Sequence, residues 1–90
     1  MTTATDPVAQ LVAALTVISL PPSDLDQLAS QLRHEPARLS LIDLGLDSLG
    51  RLEACIALEL EHGVLITPES VAPLQDAEQL LRLITAAARV

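Results

Sequence analysis

The chain has 90 residues, half of them hydrophobic and none of them Phe, Tyr or Trp, so one domain with an interior of Leu, Val, Ile and Ala is expected. Twelve acidic residues against five arginines and no lysine give a formal charge of -7, which repels nucleic acid and anionic lipid and suits a basic protein partner. The single cysteine, Cys55, excludes an internal disulfide and any multi-cysteine metal site, and fits a reducing compartment.

Aliphatic composition of this kind favours helices over sheets. Asp6-Pro7 opens the first helix, because the carboxylate caps free amides and proline suits the first turn. Val8, Leu11, Val12, Leu15 and Ile18 or Ser19 follow the spacing of a one-sided helix, which Pro21-Pro22 stops. The run from Val8 to Leu20 lacks the basic start of a signal peptide and is broken by Gln10, Thr16 and Ser19. No apolar run reaches the roughly 20 residues that span a bilayer, so a soluble, cytoplasmic protein is expected.

Ser23 with Asp26 resembles a capping box, and Leu25, Leu28 and Leu32 repeat at helical spacing until Pro36, which predicts an extra helix in a long first connection. From Arg38 to Asp47, the residues Leu39, Leu41, Ile42, Leu44 and Leu46 show no sustained period and Gly45 interrupts them. A loop pinned by its leucines is expected there, since a strand would lack a partner. Asp47 and Ser48 are both good N-caps for a long helix that runs to His62 and closes at Gly63. Thr67-Pro68-Glu69 starts a helix that Pro73 limits to about one turn. A last helix begins at Gln75, carries Ala77, Leu80, Leu81 and Ile84, and frays towards Val90. The fold expected is therefore an all-α bundle with three main helices, a short helix before the last and an extra one in the first loop. One domain over residues 1–90, with its helical core at about 6–87, accounts for the whole pattern.

The helix after Ser48 has two apolar faces. With Ser48 at zero and 100 degrees per residue, Leu52, Ile56, Leu49 and Leu60 fall between about 40 and 120 degrees, flanked by Glu59 and Glu53. Ala54, Leu58, Cys55, Arg51 and His62 lie between about 240 and 340 degrees. Periodicity alone favours the leucine stripe as the core side; the other possibility is a stripe kept for a partner, with the acids steering a basic surface. Six carboxylates and only Arg51 lie between Asp43 and Glu69, which concentrates -5 of the charge in this stretch.

Ser48 has no obvious base. His34 and His62 stand 14 residues away on either side, and no G-x-S-x-G elbow or His-Asp pairing is present, so no catalytic residue, metal site or enzyme activity is expected. At a helix N-terminus a phosphate ester on this serine would be stabilised by free amides and the helix dipole. An ordinary capping serine is the plainer reading.

Leu44-Gly45-Leu46-Asp47-Ser48-Leu49, then Glu53, Ala57-Leu58-Glu59, Glu61, Gly63, Ile66, Pro68 and Leu74-Gln75-Asp76-Ala77, resembles the acyl carrier proteins and related phosphopantetheine-binding domains over roughly Leu39 to Ile84. The resemblance implies that Ser48 receives 4'-phosphopantetheine from coenzyme A through a separate magnesium-dependent transferase. It implies that Asp47 and Leu49 are recognised by that transferase, and that Leu49, Leu52, Glu53, Ile56 and Glu59 meet partner enzymes. On this reading Ala54, Cys55 and Leu58 face the bundle and the leucine stripe faces out. Gly50 and Arg51 replace residues that are polar or acidic in housekeeping fatty-acid carriers, and His62 replaces an aromatic. With a longer first connection and arginine as the only basic residue besides histidine, these departures suggest a discrete, monomeric carrier in polyketide-type or other specialised natural-product biosynthesis. Its partners would be acyl-loading and acyl-processing enzymes such as a ketosynthase or an acyltransferase. Loading by an adenylation enzyme would instead make it a peptidyl, aminoacyl or aryl carrier of a nonribosomal peptide-type pathway. An unmodified helical interaction domain is the remaining possibility.

Overall fold

The computed structural model describes residues 6–18 and 25–89. Asp6 caps the first helix as its position before Pro7 predicts: its Oδ1 accepts from the Val8 amide at 3.0 Å and the Ala9 amide at 3.4 Å. Helix α1, Pro7–Ile18, follows. The other oxygen, Oδ2, takes Arg33 Nη2 at 2.8 Å and so ties the start of α1 to helix α2, Leu25–His34. That guanidinium holds the Asp6 carboxyl below the usual carboxylate range. The expected extra helix is therefore present, with Asp26 in its first turn and Arg33 and His34 in its last, the arrangement that suits the helix dipole. The stops and caps assigned to Ser19, Pro21, Pro22 and Ser23 lie outside the described residues, as does Val90 itself.

A 3-10 turn at Pro36–Arg38 leads into the leucine-rich connection. Leu41, Leu44 and Leu46 are buried, as expected of a loop held by its leucines, whereas Ile42 is exposed. The segment also has a partner that its sequence does not announce. Leu41 N donates to Gln75 O at 3.0 Å and Ala77 N to Leu39 O at 2.8 Å, so Ser40 bridges Asp76 in an isolated antiparallel pair. Helix α3, Ser48–His62, ends at Gly63, whose φ of 68° is the left-handed conformation that a C-terminal glycine supplies. Helix α4, Pro68–Val71, is the single turn that Pro73 permits, and helix α5, Ala77–Ala86, completes the set.

One expectation needs correcting. The end of the chain does not simply fray: strand β2, Ala88–Arg89, pairs antiparallel with strand β1, Val64–Leu65, with Val64 opposite Arg89. Apart from this two-residue pairing the fold is mostly helical, compatible with the small all-α class expected. The pairing arises because Gly63 turns the chain back beside the end of α5, where two extended segments can satisfy each other's backbone groups.

Helix α1 packs on α3, α2 and α5, and the buried side chains form one aliphatic cluster. Leu11, Leu15, Leu32, Leu41, Leu46, Leu58, Leu80 and Ile84 are its largest fully buried hydrophobic members. No helix among the described residues is long and apolar enough to cross a membrane. Within α3 the two apolar faces separate cleanly: Ala54, Cys55, Ala57 and Leu58 are buried, while Leu49, Leu52, Ile56 and Leu60 remain 62, 41, 49 and 76% exposed. The side that periodicity favoured as core is the outer one. The bundle buries the other side, whose small alanines and cysteine allow close packing of α3 in a core that Leu58 shares and α1 contacts. Leu58→Ala is expected to cost about 2–5 kcal/mol of stability in urea unfolding. Leu60→Ala, two residues on, is expected to stay within about 0.5 kcal/mol of the parent.

Candidate functional site

The first turn of α3 is built by the residues just before it. Asp47, not Ser48, is the cap: it is extended, and its Oδ1 accepts from the Gly50 amide at 2.8 Å. Ser48 is thereby left as the first helical residue, exposed, with no hydrogen bond to its hydroxyl among the described residues. Gly45 closes the preceding turn at a φ of 82°, and its carbonyl is pressed against the helix. A Cβ at Gly50 would lie 2.5 Å from Gly45 O and 3.2 Å from Asp47 Oδ1, so only glycine admits this approach.

Arg51 completes the junction. Its Nε donates to Leu46 O at 2.8 Å, and its Nη1 reaches Val71 O at 3.1 Å, Ala72 O at 2.7 Å and Leu74 O at 2.9 Å. The side chain thus spans from the chain entering α3 to the chain leaving α4. Gly50 and Arg51 both belong to the internal framework. The single cation between Asp43 and Glu69 is turned onto backbone carbonyls, while the six carboxylates of that stretch are all exposed.

Beside Ser48 is an open cavity of about 450 Å³, lined by Ile42, Asp47, Ser48, Arg51, Leu52, Pro68 and Ala72. Leu49, Leu52 and Ile56 lead away from it along the outer face of α3, with Glu53 and Glu59 exposed on either side. Six of the residues singled out from sequence, Asp47, Leu49, Leu52, Glu53, Ile56 and Glu59, therefore share one outward surface with Ser48. A smaller groove of about 250 Å³ lies further along, between Val17 of α1 and Glu53, Ile56, Ala57, Leu60 and Glu61 of α3.

Other candidate groups stand apart. His62 ends α3, about 21 Å along the helix from Ser48 at 1.5 Å per residue, and His34 ends α2. His62 is half-buried rather than fully packed, and its Nε2 lacks a hydrogen-bond partner among the described residues. Cys55 is buried, and burial pushes its thiol above the usual range, which reduces the thiolate available at neutral pH. Among the described residues no three His, Cys, Asp or Glu side chains gather as a metal cage. What the Ser48 site offers is an unencumbered hydroxyl at the positive end of a 15-residue helix, where leading amides and dipole favour an attached anion.

Sequence reasoning missed the Arg51 contacts, and no residue pattern could have shown them, because every acceptor is a backbone carbonyl. It also missed the cap of α5, which starts at Ala77 rather than Gln75: Asp76 Oδ1 accepts from Gln79 N at 3.0 Å while Gln79 Oε1 accepts from Gln75 N at 2.7 Å. Asp76 with Gln79 three residues on has the spacing of a capping box.

No family model, curated protein or solved structure matches this chain.

Gly50→Ala is expected to cost about 1–3 kcal/mol, read from the urea midpoint, because the atom that it strikes is main chain and must shift. Cys55 is expected to react slowly with iodoacetamide in the folded protein and at the rate of a free thiol in denaturant, as measured by mass spectrometry.

Proposed function

We propose that this chain is a carrier-protein domain that holds 4'-phosphopantetheine on Ser48 and presents it to partner enzymes through the outer face of α3. The observation that carries the reading is the exposure of an apolar stripe, Leu49, Leu52 and Ile56, directly after an exposed serine at a helix start. A small helical domain normally turns such a stripe inward, so its exposure points to use by a partner. The acids beside it, with Arg51 withdrawn onto carbonyls, suit a basic enzyme surface.

The residues present fit the arm. Ser48 Oγ is accessible, the helix N-terminus favours a phosphodiester there, and the adjoining cavity has apolar walls from Ile42, Leu52, Pro68 and Ala72 that suit an aliphatic chain. When bound, the arm supplies a terminal thiol on which an acyl group is held as a thioester. Cys55, buried and protonated, takes no part.

In the attachment step Ser48 Oγ attacks the phosphorus of coenzyme A that bears the pantetheine. A phosphorus–oxygen bond to Ser48 forms, the bond to adenosine bisphosphate breaks, and the hydroxyl proton passes to a base on the magnesium-dependent transferase. Asp47 and Leu49 flank the hydroxyl and are the contacts assigned to that transferase. Leu49, Leu52, Glu53, Ile56 and Glu59 are assigned to the loading and processing enzymes. The reading extends to acyl cargo in a specialised biosynthetic pathway of the cytoplasm.

Incubation with coenzyme A, magnesium and a promiscuous phosphopantetheinyl transferase is expected to add the mass of one phosphopantetheinyl group. Ser48→Ala is expected to gain nothing, and Cys55→Ser to gain as much as the parent. An unmodified parent would replace the carrier reading with that of an unmodified helical interaction domain, and equal gain in Ser48→Ala would overturn Ser48 as the attachment site.

A further inference from the structure

We propose that Arg51 is a positioning residue for the modification of Ser48, clamping the connection after α4 onto the first turn of α3 and thereby fixing the far wall of the Ser48 cavity. The proposal rests on the carrier reading for its reaction; the clamp is a property of the fold and can be measured without it.

Backbone pairing from Leu41 N to Gln75 O holds the far end of the connection after α4, but the turn of α4 itself has few anchors. It is four residues long, and Val71 is its one buried side chain. Its own hydrogen bonds, from Ser70 to Thr67, from Ala72 to Pro68 and onward from Leu74 to Val71, are local, and so short a turn opens readily once its carbonyls lose their outside donor. Pro73 has no amide proton to offer the preceding turn. The carbonyls of Val71, Ala72 and Leu74 are answered by Arg51 Nη1 alone among the side chains of α3.

Those carbonyls adjoin the cavity. Ala72 and Pro68 form one wall, Ser48 and Leu52 the other, and Arg51 lines the space while binding both sides. Removing the guanidinium leaves Gly50, Asp47 and Gly45 to hold the start of α3, so the Ser48 side of the site should persist while the opposite wall loosens. An enzyme that docks across both walls would then pay the cost of ordering α4, which weakens binding more than it slows the chemical step.

The test compares the parent with Arg51→Met, which keeps an unbranched stem without donors, and Arg51→Lys, which keeps the charge and one donor group. Hydrogen exchange of the Ser70, Ala72 and Leu74 amides is expected to quicken about tenfold in Arg51→Met, with α1 and α5 unchanged. In steady-state phosphopantetheine transfer at saturating coenzyme A, the KM for the carrier is expected to rise about tenfold with kcat held within about twofold. Arg51→Lys should recover part of both effects. Unchanged exchange in Arg51→Met overturns the clamp, and quickened exchange with an unchanged KM overturns the positioning role. Quickening throughout the chain would show Arg51 to be a general stabiliser and also overturns the proposal. A parent that is never modified overturns the carrier reading instead, and the exchange comparison still decides the clamp.

Discussion

One guanidinium shared among four backbone carbonyls decides how the start of α3 is presented. Arg51 Nη1 has two protons and three acceptors within 3.1 Å, so at least one proton is shared, and the three contacts cannot each count as a full charged hydrogen bond of about 1.5–3 kcal/mol. Their value lies in what they join. Leu46 precedes α3 and Leu74 precedes α5, so one side chain joins two segments that the Ser40–Asp76 backbone bridge also brings together, and it extends that junction to the first turn of α3. The close approach of Gly45 to Gly50 and the Asp47 cap complete the same junction with backbone contacts.

Because the arginine is spent inward, the surface around it keeps only negative charge. The exposed carboxylates from Asp43 to Glu69 surround an exposed aliphatic stripe, while the opposite face of the same helix is packed against α1. A helix with two apolar sides thus serves two purposes without conflict: small residues and Leu58 meet the core, and larger residues face solvent. Ser48 occupies the boundary where helix dipole, cavity and stripe meet. On the proposed carrier reading, a group attached there needs a stable anchor and an open approach rather than a local base.

Local signals carried most of the fold. Asp6-Pro7, Thr67-Pro68 and Gly63 marked helix ends through capping chemistry that acts within a few residues, and each is found in that role. The leucines before Asp47 were readable as anchors because a loop that rich in apolar side chains must bury them. Long-range pairings were not readable. Val64 meeting Arg89, Ser40 meeting Asp76 and Arg51 meeting the α4–α5 connection all depend on backbone groups, which every residue carries alike. The orientation of α3 lay between these cases. Its period revealed two apolar faces, but the choice between them is made by the close packing of α1, a tertiary matter that periodicity does not encode. The outward surface around Ser48 was traced residue by residue through a family resemblance, and the cavity wall from Pro68 and Ala72 was not.

The Nε–H of Arg51 reports most directly on the junction, and nuclear magnetic resonance of the arginine side chains in the free protein can observe it. Held on Leu46 O, this proton is expected to exchange with water far more slowly than that of Arg82, whose side chain is 77% exposed, and to show a coupling through the hydrogen bond to the Leu46 carbonyl. Exchange as fast as that of Arg82, with no such coupling, would contradict an arginine clamp at the start of α3.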